Sequence, residues 1–162
     1  FIYAIGGFLT LHASIYVAVI IIGFLTPLVM REIQRRHYPD VEMVGHSNII
    51  EVLFSIIKWT VVMIVLFILL VPFYFIPLVN IIAFNFPLYY FFHKMLTFDV
   101  SSNLCTKEED KQIKYFSKNS IRAKTLLLYI ISFIPFIVFF IAIFYVIYLG
   151  NTYFTEVRKL RS

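Results

Sequence analysis

Three long apolar blocks, roughly residues 1–30, 52–92 and 126–149, dominate this chain, and proline breaks the second and third near their centres. Hydrophobic residues fill 61% of the 162 positions, and the mean hydropathy is +0.89. A soluble domain of this length has too little interior to bury so much apolar surface. Lipid must therefore be the solvent for much of it. A spanning helix needs ~20 apolar residues to cross a ~30 Å hydrocarbon core, so the apolar length suits one compact all-α membrane domain over 1–162.

The first block reads as a full transmembrane helix, 1–30, uncharged until Arg31. Gly6, Thr10, Ser14 and Ala18 are four apart on one face. That spacing suits close approach of another helix or, less simply, a pore lining. Pro27 sits in the last turn, and Tyr38-Pro39-Asp40 ends the helix. The block has no basic n-region and no small-residue cleavage site, so it does not read as a signal peptide. Because the chain opens at Phe1, inside an apolar run, the expectation is that natural sequence precedes it.

Asn48 with Glu51 has the spacing of a capping box. Glu51, Ser55 and Lys58 then mark one helical stripe, followed by Trp59, so 48–59 reads as amphipathic and interfacial. The arm left before Pro72, residues 60–71, is twelve residues and reaches only ~18 Å. Pro72 disrupts the incoming helix, and Pro77 suits the first position of the outgoing one. The outgoing arm ends in an aromatic run before His93 and Lys94. Residues 48–92 therefore read as a half-penetrating helical hairpin, with a single kinked span as the alternative.

Seven of the fourteen Lys and Arg residues lie in 93–124. Thr106 and Glu109 predict a capping box, and Ile113 with Phe116 an apolar face, so 105–124 reads as an amphipathic surface helix. The third block, 125–150, repeats the proline device at Pro135. It reads as a second hairpin, again with a kinked span as the alternative. If both blocks are hairpins, all fourteen basic residues fall on one face, which the positive-inside tendency makes cytoplasmic.

The run Leu25-Thr26-Pro27-Leu28-Val29-Met30-Arg31-Glu32-Ile33-Gln34-Arg35-Arg36-His37-Tyr38 resembles the Pro-Phe-Leu…Arg-Arg-Val-Glu-Arg segment of the CysZ-like family, grouped with the etoposide-induced 2.4 membrane proteins. Within 81–99, Asn85-Phe86-Pro87-Leu88-Tyr89-Tyr90 and the later Phe98-Asp99 resemble its Asn-x-Pro-x-x-Tyr region. The order of elements agrees over almost the whole chain. The resemblance implies two long spanning helices plus two half-penetrating hairpins, a homo-oligomer, and sulfate permeation across the bacterial inner membrane in support of cysteine synthesis. Eukaryotic relatives lie in the endoplasmic reticulum. The family's N-terminal arginine segment, implicated in sulfate binding, has no counterpart in this sequence, and its other long helix would lie upstream of Phe1.

Desolvating a doubly charged oxyanion needs several N–H donors and positive potential. The anion-path candidates are Arg31, Arg35 and Arg36 at the cytoplasmic mouth, Lys58 after its apolar run, and Pro77, Leu78 and Asn80 at the first break. Asn85 could donate to an anion or cap a local turn. Backbone N–H groups near 137–139 would serve the second break. Each has a plainer alternative: lipid anchoring for the arginines, snorkelling or pairing with Glu51 for Lys58, and simple chain reversal for the breaks. His12, His37, His46 and His93 lack metal-ligand spacing, and a single cysteine, Cys105, excludes an intrachain disulfide and a Cys-rich metal site. Without a nucleophile–base pairing or a glycine phosphate loop, neither an enzyme nor a cofactor is expected. The net charge of +5 is too dispersed for a nucleic-acid surface. The alternative function is a non-transporting structural or interaction protein with a basic cytoplasmic face.

Overall fold

The computed structural model describes residues 17, 25–46, 48–134 and 137–162, and the regular structure among them is helical. The first-block span, its small-residue face and His12 lie outside these residues, as do Pro135 and Phe136. Helix α1 covers 25–37 and gives way at Tyr38, where Pro39 has no N–H to continue it. The chain then forms α2 (Ile49–Leu69), a short 3-10 turn (Val71–Phe75), α3 (Val79–Leu104), α4 (Lys107–Phe116), α5 (Lys118–Ile131) and α6 (Ile137–Arg161).

Helix α2 runs unbroken for 21 residues, about 31 Å. The expected boundary between an interfacial 48–59 and a short arm 60–71 is therefore absent. Neither Glu51 nor Lys58 breaks a helix, and the β-branched and leucine residues that follow propagate it. Its Ile50–Leu69 stretch has a mean hydropathy of 2.6 and is almost entirely unburied. It is, among the described residues, the one helix long and apolar enough to cross a membrane. Asn48 caps the helix by accepting the Glu51 N–H at 2.8 Å, but the Glu51 carboxylate turns instead to Lys107 at 2.9 Å.

Helix α3 returns antiparallel to α2. Trp59 meets Phe98 edge to face at 5.3 Å, and Tyr74 stacks on Phe84 at 4.1 Å. The reversal differs in detail from the sequence expectation. Pro72 opens the 3-10 turn, while Pro77 stands two residues before α3 rather than at its first position, because Leu78 is the N-cap. Leu78 has φ 68°, where a Cβ is crowded, so the bend carries backbone strain at an exposed residue.

The expected surface helix over 105–124 divides at Ser117, whose N–H still reaches the Ile113 carbonyl at 2.8 Å. Only α4 behaves as the surface helix. Helix α5 starts at Lys118 and carries straight on into the apolar block. The reciprocal cap is present: Thr106 Oγ1 accepts the Glu109 N–H at 3.3 Å, and the Thr106 N–H donates to Glu109 Oε2 at 2.9 Å. Ile113 is buried, but Phe116 is 74% exposed, so the predicted apolar face is only half used.

The core lies where α3 and α6 cross the ends of α1 and α5. Phe92, Leu96, Leu104, Tyr145, Leu149, Tyr153 and Phe154 are fully or almost fully buried. Gly150 lets α6 approach α1, since a Cβ there would sit 2.8 Å from Met30 Sδ. Helices α5 and α6 are also antiparallel, joined by Ser132 Oγ to Tyr145 Oη at 2.9 Å and by Lys124 Nζ donating to Thr152 Oγ1 at 2.7 Å. Tyr38 stacks on Phe154 at 4.9 Å and lies under the Arg158 guanidinium at 4.8 Å. Arg158 pairs with Asp40 as well, latching the 38–40 turn to α6.

Candidate functional site

The predicted anion-path residues do not converge. Arg35 and Arg36 share the carboxylate of Glu32, at 2.9 Å for Arg35 and in a shorter contact for Arg36. Hydrogen bonding first from Arg36 and then from Arg35 holds the Glu32 carboxyl below its usual range. Two of the three arginines of this cluster thus spend their charge within one helical turn of α1. Arg31 points elsewhere. With Gln34, Gly45, Ser102 and Asn103 it lines a polar cavity of about 410 Å³ between α1, the 41–46 loop and the end of α3.

Backbone bonds hold that loop in place. Val44 N–H donates to Leu104 O at 3.0 Å and His46 N–H to Ser102 O at 3.1 Å. Gly45 lies between them, and a Cβ there would come within 3.1 Å of the Ser102 carbonyl oxygen. A side chain at this position would press on the Ser102 backbone, which would have to give by a few tenths of an ångström, so glycine suits the close approach.

Lys58 is exposed on α2 and adds its charge to the field at Lys94; its expected partner Glu51 is taken by Lys107. At the first break, the Asn80 N–H donates to the Ile76 carbonyl at 3.0 Å, so that donor is already engaged. Pro77 and Leu78 stand in the exposed reversal between α2 and α3. Asn85 donates its side-chain amide to the Ile81 carbonyl at 2.7 Å and accepts the Tyr129 hydroxyl at 3.1 Å. It pins α3 to α5 beside Pro87, which has no N–H to offer the preceding turn.

A second basic assembly escaped the sequence reading. Lys94 and Thr97 of α3, Lys114 of α4, and Lys118 and Arg122 of α5 line a cavity of about 150 Å³ together with His93. Lys114 is paired with Asp110 at 2.6 Å. Lys94, Lys118 and Arg122 make no ion pair among the described residues. Lys118 and Arg122 are exposed; His93, Lys94 and Lys114 are half-buried.

The His93 ring is fixed by its neighbour. Thr125 Oγ1 lies 2.7 Å from His93 Nδ1 and 3.0 and 3.1 Å from the Ile121 and Arg122 carbonyls, and the ring tautomer sets which way the His93–Thr125 bond runs. Burial first, then Lys94, Arg122 and Lys114, lowers the His93 pKa to about 4. Burial likewise pushes the Lys94 ammonium below its usual range, helped by Lys114 and Arg122.

The only signal for this cavity was the i, i+4 spacing of Lys114, Lys118 and Arg122. The division of α4 from α5 interrupts that spacing. Elsewhere, Asp99 Oδ2 is buried without a hydrogen bond, and burial raises its carboxyl to about 7. Cys105 is buried, its thiol pushed up to about 12, which disfavours the reactive thiolate. Among the described residues no group of His, Cys, Asp and Glu is placed to hold a metal ion.

No curated protein and no solved structure gives a significant match to the chain. A protein-family profile, that of sulfate transporter CysZ/etoposide-induced protein 2.4, matches residues 1–152. That match spans nearly the whole sequence and includes both proline-broken blocks, and the chain belongs to this family.

Proposed function

We propose that the protein passes sulfate or a similar tetrahedral oxyanion across the bacterial inner membrane, supplying sulfur for cysteine synthesis. The observation that carries this reading is the family match over residues 1–152. The outward apolar face of α2 supports the membrane setting: Ile50, Phe54, Ile57, Ile64 and Ile68 are each about half exposed or more, a surface too large for water but suited to lipid. In this reading α2–α3 and α5–α6 are two hairpins entering from the cytoplasmic face, beside the transmembrane helix of the first block. The basic segments stay cytoplasmic, and a homo-oligomer completes the path.

Arg31 would receive the anion in its polar cavity, where guanidinium geometry suits two oxygens of a tetrahedral anion. Gln34 and Asn103 each give one amide proton to a backbone carbonyl, of Val41 and Asp99, and their second amide protons would replace water. The strained Pro77-Leu78 reversal would form a hinge at the far end of the first hairpin. Arg35, Arg36 and Lys58 would raise the local anion concentration at the mouth. No nucleotide-binding motif is present, so the flux follows the anion gradient or a coupled ion.

The test is labelled-sulfate uptake into proteoliposomes holding the full-length protein. Saturable uptake, competed by selenate or thiosulfate and reduced in Arg31→Gln, is the expected result. Pro77→Ala should lower flux more than protein abundance. Absence of flux from folded full-length protein would overturn the transport reading and favour a structural or partner-binding role for the basic face.

A further inference from the structure

We propose that the cavity between α3, α4 and α5 is a binding site for a tetrahedral oxyanion group, phosphate or sulfate, held by Lys94, Lys118 and Arg122. It is separate from the Arg31 cavity and does not depend on the transport reading. Three structural features point the same way.

The first is uncompensated charge. Of the acids on α4, Glu109 is engaged by the Arg161 guanidinium at 2.7 Å. Asp110 pairs with Lys114 and offsets only part of the positive field at Lys94. Three cations remain around one concavity. Lys118 and Arg122 are also i, i+4 neighbours on one helix, a like-charge arrangement that destabilises an isolated helix. A bound dianion removes that repulsion.

The second is helix direction. Lys118 and Arg122 occupy the first turns of α5, whose N-cap Ser117 makes no side-chain capping bond and whose first turn has no acid. Cations there oppose the helix dipole, whereas an anion is favoured. The Glu156 carboxylate of α6 reaches Ser117 at this helix start, so the side-chain charge of Lys118 and Arg122 carries the greater part of the attraction at the cavity.

The third is size and setting. At ~30 Å³ per water, about 150 Å³ holds roughly five waters, or one tetrahedral oxyanion with part of its shell. Beside the cavity, at the α4–α5 junction, Tyr115 and Phe116 are 79% and 74% exposed and contact each other at 5.3 Å. Aromatic side chains next to lysines suit the headgroup layer of a bilayer. The same oxyanion chemistry is therefore offered to a phospholipid phosphate and to a free anion. Occupancy by either also relieves the positive field on His93 and Lys94.

The experiment has two ligand arms on the full-length protein. Inorganic sulfate and inorganic phosphate are titrated calorimetrically in detergent. Retention of phosphatidylglycerol against phosphatidylcholine is measured by native mass spectrometry from mixed nanodiscs. The variant is Lys118→Gln/Arg122→Gln, with Lys111→Gln as a control on the same surface. Binding weakened roughly tenfold or more by the double variant and unchanged in the control supports the site. Loss in the first arm assigns a free anion, and loss in the second a lipid headgroup. Where the double variant does not fold, the wild-type protein is treated with an amine-acylating reagent. Protection of Lys94 and Lys118 by sulfate, phosphate or phosphatidylglycerol supports the proposal. Absence of both a variant effect and protection overturns it.

Discussion

The arginine cluster of α1 and the basic cavity of α3–α5 hold similar numbers of cations and have opposite electrostatic fates. In α1, Arg35 and Arg36 are three and four residues from Glu32, so the helix itself folds them onto the carboxylate. Around the cavity, Lys94, Lys118 and Arg122 come from segments up to 28 residues apart and make no ion pair among the described residues. A cluster that is dense in sequence is cancelled locally. One that is dispersed in sequence remains open to an outside anion.

The largest effect is expected at Asp99, whose Oδ2 is buried without a donor and which, unlike Asp110, makes no ion pair among the described residues. Asp99→Asn should stabilise the protein by an amount of order 4 kcal/mol at neutral pH, from a carboxyl held near 7 against an unfolded value near 4. The sign follows from the raised pKa. Below about pH 4 the carboxyl is protonated in both states. As pH rises towards 7 the unfolded chain releases its proton first, so stability falls across that window and levels off above it. Thermal melts of wild type and Asp99→Asn in detergent between pH 4 and 8 should diverge as pH rises. Parallel curves would mean that the carboxylate finds a donor.

Next in size is the contrast between the two basic sets. Lys118→Gln/Arg122→Gln should weaken oxyanion binding roughly tenfold or more, whereas Arg35→Gln/Arg36→Gln should leave it nearly unchanged. Equal losses in calorimetry would reduce both clusters to general positive potential.

The α4 cap, which places Lys114 at the cavity rim, is worth less. Thr106→Ala removes the acceptor for the Glu109 N–H and should cost about 1 kcal/mol, read as a lowered melting midpoint. Glu32→Gln should be smallest of all. Its ion pairs are exposed and screened, so the melting midpoint should hold. A clear shift would show that α1 depends on the pairing.

Local rules made several elements legible. Thr106 and Glu109 three residues apart specify the reciprocal cap. Tyr38-Pro39-Asp40 ends α1, and Ile76-Pro77 marks a reversal. Other features depended on contacts that spacing does not reveal. The incoming arm was read as short because Glu51, Lys58 and Trp59 suggested an interface, yet nothing in 49–69 interrupts helical hydrogen bonding. The spacing of Ile113 and Phe116 gives a surface helix one apolar face, but α4 ends at Phe116 and leaves that residue exposed. Of the expected anion-path residues, Arg31 lines a polar cavity, while the Asn80 N–H and Asn85 amide are engaged by neighbouring carbonyls. The basic cavity was missed because its members are unremarkable lysines and one arginine in a surface-like run.

By itself, the sequence determined the helical class, the proline-marked reversals, the basic and apolar division of the chain and its family. Each depends on hydropathy or on interactions within about four residues, which composition and spacing record. The tertiary structure alone decided which cations remain unpaired, because that depends on how α4 packs on α5 and α6 and how α5 lies against α3. Coulomb interactions follow distance in space, and only folding sets the distance between Lys94 and Arg122.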